Sequence, residues 1–149
     1  MTKRALPGLI LAFVLVATAC GHEFDPPDRG ERIRQAELTY SPSLFDTVTW
    51  AEGVDRNELG NEIYAGKCRK CHGPLGRGDT DYARERGLAI PSLVEPEWAY
   101  ASVASLHKTI YVGHEEGMPI YADGGITPRE IDAVASYVLN VLRPDVLGG

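Results

Sequence analysis

Cys68-Arg69-Lys70-Cys71-His72 sets two thiols three positions apart, with an imidazole directly after the second. This C-x-x-C-H pattern is the attachment signature of c-type haem. At the end of a helix, two thiols at that spacing reach the two vinyl groups of one haem and form thioethers. The adjacent histidine then points its ring at the iron as proximal ligand. Covalent attachment makes the haem part of the core. The expectation is one covalently held haem c, bound by Cys68, Cys71 and His72.

Two other chemistries use the same residue types. A redox-active dithiol also reads C-x-x-C but expects a βαβ context, and none is legible. A zinc site needs four ligands. His107 and His114 are separated by six residues, outside the usual spacing of a paired-histidine site. For the sixth iron ligand, one methionine follows Met1: Met118, within Gly117-Met118-Pro119. A methionine on a helix stripe is by default a core filler, but this one sits in a Gly/Pro loop. Pro119 biases it away from the α region, so its thioether can face across a cleft. A His/Met pair raises the reduction potential of haem iron. His107 and His114 are the rival ligands. The first lies beside Leu106 on a helix and the second beside Glu115 and Glu116 in a loop. Both read as solvated or satisfied locally.

The elements that position these residues are helical. Asp55 with Glu58 three residues on can open a helix, whose face holds Leu59 and Ile63 and which runs into Cys68. Residues 73–96 are rich in Gly and Pro and read as a loop. Val103, Leu106 and Ile110 predict a second helix over 103–112, stopped by Gly113. Thr127-Pro128-Arg129-Glu130 places Thr at the N-cap, Pro at the first helical position and Glu at the third. Ile131, Val134, Ala135, Val138, Val141 and Leu142 then form one apolar stripe, which Pro144 is expected to end. No segment alternates like a strand. The expected fold is all-α, with about three main helices around the haem. Three short helices leave a thin core, and a covalent cofactor staples it.

Composition narrows the function classes. The 149 residues carry 15 Lys+Arg against 21 Asp+Glu, a net charge of −6. That length suits one domain, and ordinary apolar content excludes wholesale disorder. A net-acidic chain is a poor match for nucleic acid, so no nucleic-acid partner is expected. Three cysteines are too few for a disulfide scaffold.

The first twenty residues read as an address. Lys3 and Arg4 precede the uncharged run 5–19, fifteen residues long with Pro7 and Gly8 inside it. That is short for a bilayer span, which needs about 20 apolar residues, and has the layout of a signal peptide. Residues 1–19 are therefore read as a leader. Ala17-Thr18-Ala19-Cys20-Gly21 resembles the lipobox of bacterial lipoproteins, with Ala17 where that family commonly has Leu. The resemblance implies that the chain is cut before Cys20 and acylated there. Without Lys3 and Arg4 the count is 13 against 21, a net of −8. Residues 20–55 read as a lipid-anchored tether, acidic and without long helical periodicity. Within it, Leu44, Phe45, Val48 and Trp50 are positioned to pack on the domain that follows or on a partner.

Residues 56–143 resemble a class I cytochrome c domain. Gly60 and Tyr64 match the glycine and aromatic of that family's first helix, Cys68, Cys71, His72 and Gly73 its attachment motif, Gly117-Met118-Pro119 its ligand loop, and Tyr137 the aromatic of its last helix. The resemblance implies that Gly60 lies against Tyr137. It also implies a proline carbonyl accepting the proximal histidine's N–H, with Pro91 the better match and Pro74 possible. Trp98 matches an aromatic found near the haem. The implied function is single-electron transfer by one monohaem cytochrome, 56–149, facing the periplasm from a bacterial membrane. Its partners would be redox proteins of a membrane electron-transfer chain. Both axial positions would be filled by protein, which argues against an enzyme. Two alternatives remain open at this level: an integral haem subunit of a respiratory complex, docked through 44–50, and a peroxidase-like enzyme in which Met118 is displaced.

Overall fold

The computed structural model describes residues 28–51, 55–98 and 102–148. The leader 1–19 and Cys20 lie outside the described residues. Among the described residues every regular element is helical, in agreement with the all-α expectation.

Helix α2, Arg56–Ile63, is capped by the Asp55 carboxylate, which accepts from the backbone N–H groups of Asn57 (2.8 Å) and Glu58 (3.0 Å). It passes through a π turn, Tyr64–Cys68, into the single helical turn α3, Arg69–His72. A short helix α4, Asp81–Glu85, interrupts the stretch expected to be loop; Thr80 caps it. Helix α5, Val103–Val112, ends at Gly113, whose φ of +78° is left-handed and suits glycine.

Helix α6, Pro128–Tyr137, begins with a complete capping box between Thr127 and Glu130. Its apolar stripe is the centre of the core: Ile131, Val134, Ala135, Val138 and Leu142 are all buried with Leu106 and Ile110 of α5. Gly60 is where α2 meets α6. A Cβ there would fall 2.2 Å from the Ala133 carbonyl oxygen and 2.6 Å from Tyr137 Cβ. The Gly60–Tyr137 juxtaposition implied by the family is therefore present, and the Tyr64 and Tyr137 rings pack 5.6 Å apart.

Two expectations are corrected. Pro144 does not end the last helix. A π turn, Val138–Leu142, shifts the hydrogen bonding by one residue, and a new helix, α7, runs over Arg143–Leu147. Pro144 then falls in a first turn, where its missing N–H costs nothing.

The second correction concerns the tether. Residues 28–51 are part of the fold. Arg29–Thr39 form helix α1, capped by Asp28, and Pro42–Phe45 form a 3₁₀ turn. Ala36 of α1 is buried with Val112 and Ile120, flanked by Ile33 and Tyr40. The Phe45 ring stacks on His107 at 3.8 Å. The Asp132 carboxylate accepts from Trp50 Nε1 (2.8 Å) and Arg56 Nη2 (2.6 Å) and pairs with His107 Nε2 at 3.0 Å. Phe45 and Trp50 are thus committed to their own domain. His107, a rival iron ligand, is buried and satisfied by Asp132; burial lowers its pKa, and the Asp132 carboxylate opposes that shift.

Candidate functional site

The π turn before Cys68 rotates the helix so that both cysteines and His72 border one cavity. Such one-residue bulges recur at functional sites. Tyr64, on the same turn, donates its hydroxyl hydrogen to the Gly73 carbonyl at 2.7 Å, which ties the end of the motif back onto α2. The following loop doubles back. The Gly78 N–H donates to the His72 carbonyl (2.9 Å) and Leu93 N–H to the Gly76 carbonyl (2.7 Å). Gly78 has φ +76°, and a Cβ on it would lie 2.3 Å from the Ile90 carbonyl oxygen. Only glycine allows this approach, which carries residues 89–93 over the histidine.

The cavity so enclosed has a volume of about 350 Å³, within the usual range for ligand sites. Tyr64, Leu106, Ile110, Val134 and Val138 give it an apolar lining from α5, α6 and the turns beside them. Cys68, Cys71, His72 and Met118 all border it, as do Pro91 and Trp98. Pro91, Trp98 and Met118, apart in sequence from the C-x-x-C-H motif, are thus brought to it at one cavity, which His107 does not border. Pro74 is exposed and does not border the cavity. Trp98 is held under the Arg143 guanidinium, 4.6 Å from the ring centroid, and Arg143 also donates to the Glu95 carbonyl at 3.0 Å.

The electrostatics distinguish between the readings of this motif. Burial pushes the Cys68 thiol up to about 12, with Cys71 adding to the shift. A nucleophilic dithiol is tuned the other way, toward the thiolate. The two cysteines are not joined in a disulfide. Among the described residues no group of three or more His, Cys, Asp and Glu side chains could hold a metal ion unaided. Burial lowers the pKa of His72, and the Pro91 carbonyl partly opposes this. Yet His72 Nδ1 is buried with no partner at hydrogen-bond geometry. An apolar cavity, a Cys68 thiol that burial holds in its neutral form and a histidine whose second nitrogen faces a waiting carbonyl fit a covalently held haem. They do not fit a thiol reductase or a zinc site.

Comparison with known proteins agrees. A family described as cytochrome c oxidase, cbb3-type, subunit III matches residues 55–138, more than half of the chain. The chain belongs to this cytochrome c family. The cytochrome is also 29% identical over 84 residues to the cbb3-type cytochrome c oxidase subunit CcoP of Rubrivivax gelatinosus, covering 56% of this chain and 25% of that protein. It therefore spans about a quarter of the relative it matches. Haem-based electron transfer follows from membership of the family.

Some residues of the cytochrome's site escaped sequence reasoning. Tyr121 lies in the cavity wall, and burial pushes its hydroxyl up to about 12; its position three residues after Met118 was the available signal. Glu116 also reaches the cavity from the Met118 loop, as does His114, the rival ligand expected to be solvated or satisfied locally. Arg29 reaches that loop from α1, and no local pattern announces it.

Proposed function

We propose that this cytochrome carries single electrons through one haem c, on the extracytoplasmic face of a bacterial membrane. Cys68 and Cys71 would hold the haem as thioethers, and His72 and Met118 would be its axial ligands. The observation that carries the reading is that these four side chains border one apolar cavity. Haem c held there supplies a one-electron ferric/ferrous couple. The chain's own residues do the rest. The Pro91 carbonyl would accept a hydrogen bond from His72 Nδ1–H and so orient the ring. Leu106, Ile110, Val134 and Val138 exclude water, which disfavours the additional positive charge of the oxidised state. No acid, base or nucleophile is needed. Pyridine haemochrome spectra of the full chain, matured with haem, test this: one thioether-linked haem per chain is expected. Absence of covalent haem would overturn it.

Among the described residues no helix is long and apolar enough to cross a membrane, and acylated Cys20 is proposed as the anchor. Cys20→Ser is expected to leave a haem-loaded protein in the soluble fraction, because Cys20 is distant in sequence from Cys68. A mutant still in the membrane pellet would assign anchoring to the uncleaved apolar run or to partners. The packing of residues 28–51 on the domain shortens the leash. Seven residues separate Cys20 from Asp28, a reach of about 26–29 Å at full extension. That reach favours redox partners close to the membrane surface, such as a respiratory oxidase, with this chain as a subunit or a fixed neighbour. Co-purification after mild detergent extraction distinguishes these from a mobile shuttle.

Lys67, Arg69, Lys70 and Arg77 are all exposed around the motif, and Lys67 borders the cavity. Near charges dominate encounter because screening acts over about 8–10 Å. This ring is therefore expected to steer an acidic partner despite the net negative charge. Reversing Lys67, Lys70 or Arg77 to Glu is expected to slow reduction of an isolated partner several-fold, and added salt to slow the wild type. A rate indifferent to both would move docking elsewhere.

A further inference from the structure

We propose that α1 is a strap that keeps Met118 turned into the cavity, with Arg29 as the positioning residue. The inference rests on the His72/Met118 reading above and adds how the second ligand is held. Arg29 opens α1, and its guanidinium gathers three backbone carbonyls of the ligand loop. Nε donates to the carbonyls of His114 and Glu115, each at 3.1 Å. Nη2 donates to the carbonyls of His114 and Met118. These carbonyls belong to a tight turn: Gly117 N–H donates to the His114 carbonyl at 3.2 Å, and His114 N–H reaches the Met118 carbonyl at 3.5 Å.

The turn carries two side chains able to ligate iron, since both His114 and Met118 border the cavity. Which one faces inward depends on how the backbone between them is rotated. A planar guanidinium fork fixes that rotation, because it binds several carbonyls at set angles with charge-assisted bonds. The remainder of α1 holds both feet of the loop. Ala36 packs on Val112 before it and Ile120 after it, and Arg32 pairs with Asp123 at 2.6 Å. Helix α1 lies outside residues 55–138, the stretch that matches the family. The strap is thus supplied by a part of the chain that the family match does not cover.

The test uses the full haem-loaded chain with Arg29→Ala, Arg29→Lys and Arg32→Ala. The ferric proteins are titrated with imidazole while the thioether–iron band is followed, and hydrogen exchange is measured over residues 114–118. Arg29→Ala is expected to keep covalent haem, to bind imidazole roughly tenfold more tightly, which corresponds to about 1.4 kcal/mol, and to exchange faster across the loop. Arg29→Lys keeps the charge but loses the fork, and should fall between. Should Arg29→Ala fail to accumulate, Arg29→Lys carries the test, with imidazole affinity raised several-fold. Arg32→Ala removes a contact at the foot of the loop without touching Met118 and should change imidazole affinity and exchange much less than Arg29→Ala does. Wild-type affinity and exchange in both Arg29 variants would overturn the strap. So would an Arg32→Ala effect equal to that of Arg29→Ala, since general packing of α1 would then suffice. A wild type without a thioether band would overturn the Met118 reading itself, a failure visible before any Arg29 variant is made.

Discussion

Met118→Ala is expected to keep covalent haem and to lose the thioether–iron band completely. On the proposed reading attachment depends on Cys68 and Cys71, which sit on the π turn and α3, while Met118 comes from the loop after α5. The two functions are therefore separable. Without the thioether, small ligands such as imidazole or carbon monoxide should bind readily, in competition with His114, which also borders the largely apolar cavity. The reduction potential should fall on the order of 0.1 V or more, within the roughly 0.8 V range that axial ligands command. Met118→His should also lower it, since imidazole replaces the ligand associated with raised potentials. Spectra and potentiometry of the purified variants check this. An unchanged band and potential in Met118→Ala would transfer the ligand role to His114, because His107 is already engaged by Asp132 and stacked on Phe45.

Gly60→Ala should produce the largest loss of stability of any single methyl addition on α2. The new Cβ would meet the Ala133 carbonyl oxygen at 2.2 Å. That atom is helix backbone and cannot rotate away, so α2 and α6 must separate and the core between them opens. The cost expected is about 3 kcal/mol, the upper part of the range for overpacking. For a domain of this size that lowers the melting temperature on the order of 10 °C. Trimming Tyr137 in a double variant should not rescue it, since the closest contact is to Ala133. Gly66→Ala is the matched control. It lies on the same helical run with nothing within 4 Å of the added carbon, so it should be neutral or stabilise by about 0.5–1 kcal/mol. Thermal melts of the haem-loaded proteins compare the two. Equal melting temperatures would mean that α2 and α6 do not meet at Gly60.

What the sequence determined by itself is what depends on neighbours a few residues apart. The C-x-x-C-H spacing names its chemistry because two thioethers and a ligand must come from one helical turn. The Thr127–Glu130 capping box, the Gly113 stop and the Val103–Val112 helix were legible for the same reason. Met118 stood out through its own Gly-Met-Pro context. Tertiary structure decided whatever depends on contacts far apart in the chain. Helix α1 shows almost no apolar periodicity, because Ile33 and Ala36 suffice once Val112 and Ile120 are there to receive them. Read alone, the same residues look like a charged tether. Pro144 could not be placed without the π turn before it, a hydrogen-bond shift with no residue signature. Pro91 was separated from Pro74 only by the return of the loop across Gly78, a contact between backbones. Arg29 lies 89 positions from Met118, and a guanidinium binding carbonyls reads no side chain at all, so no pattern of residue types could have announced it.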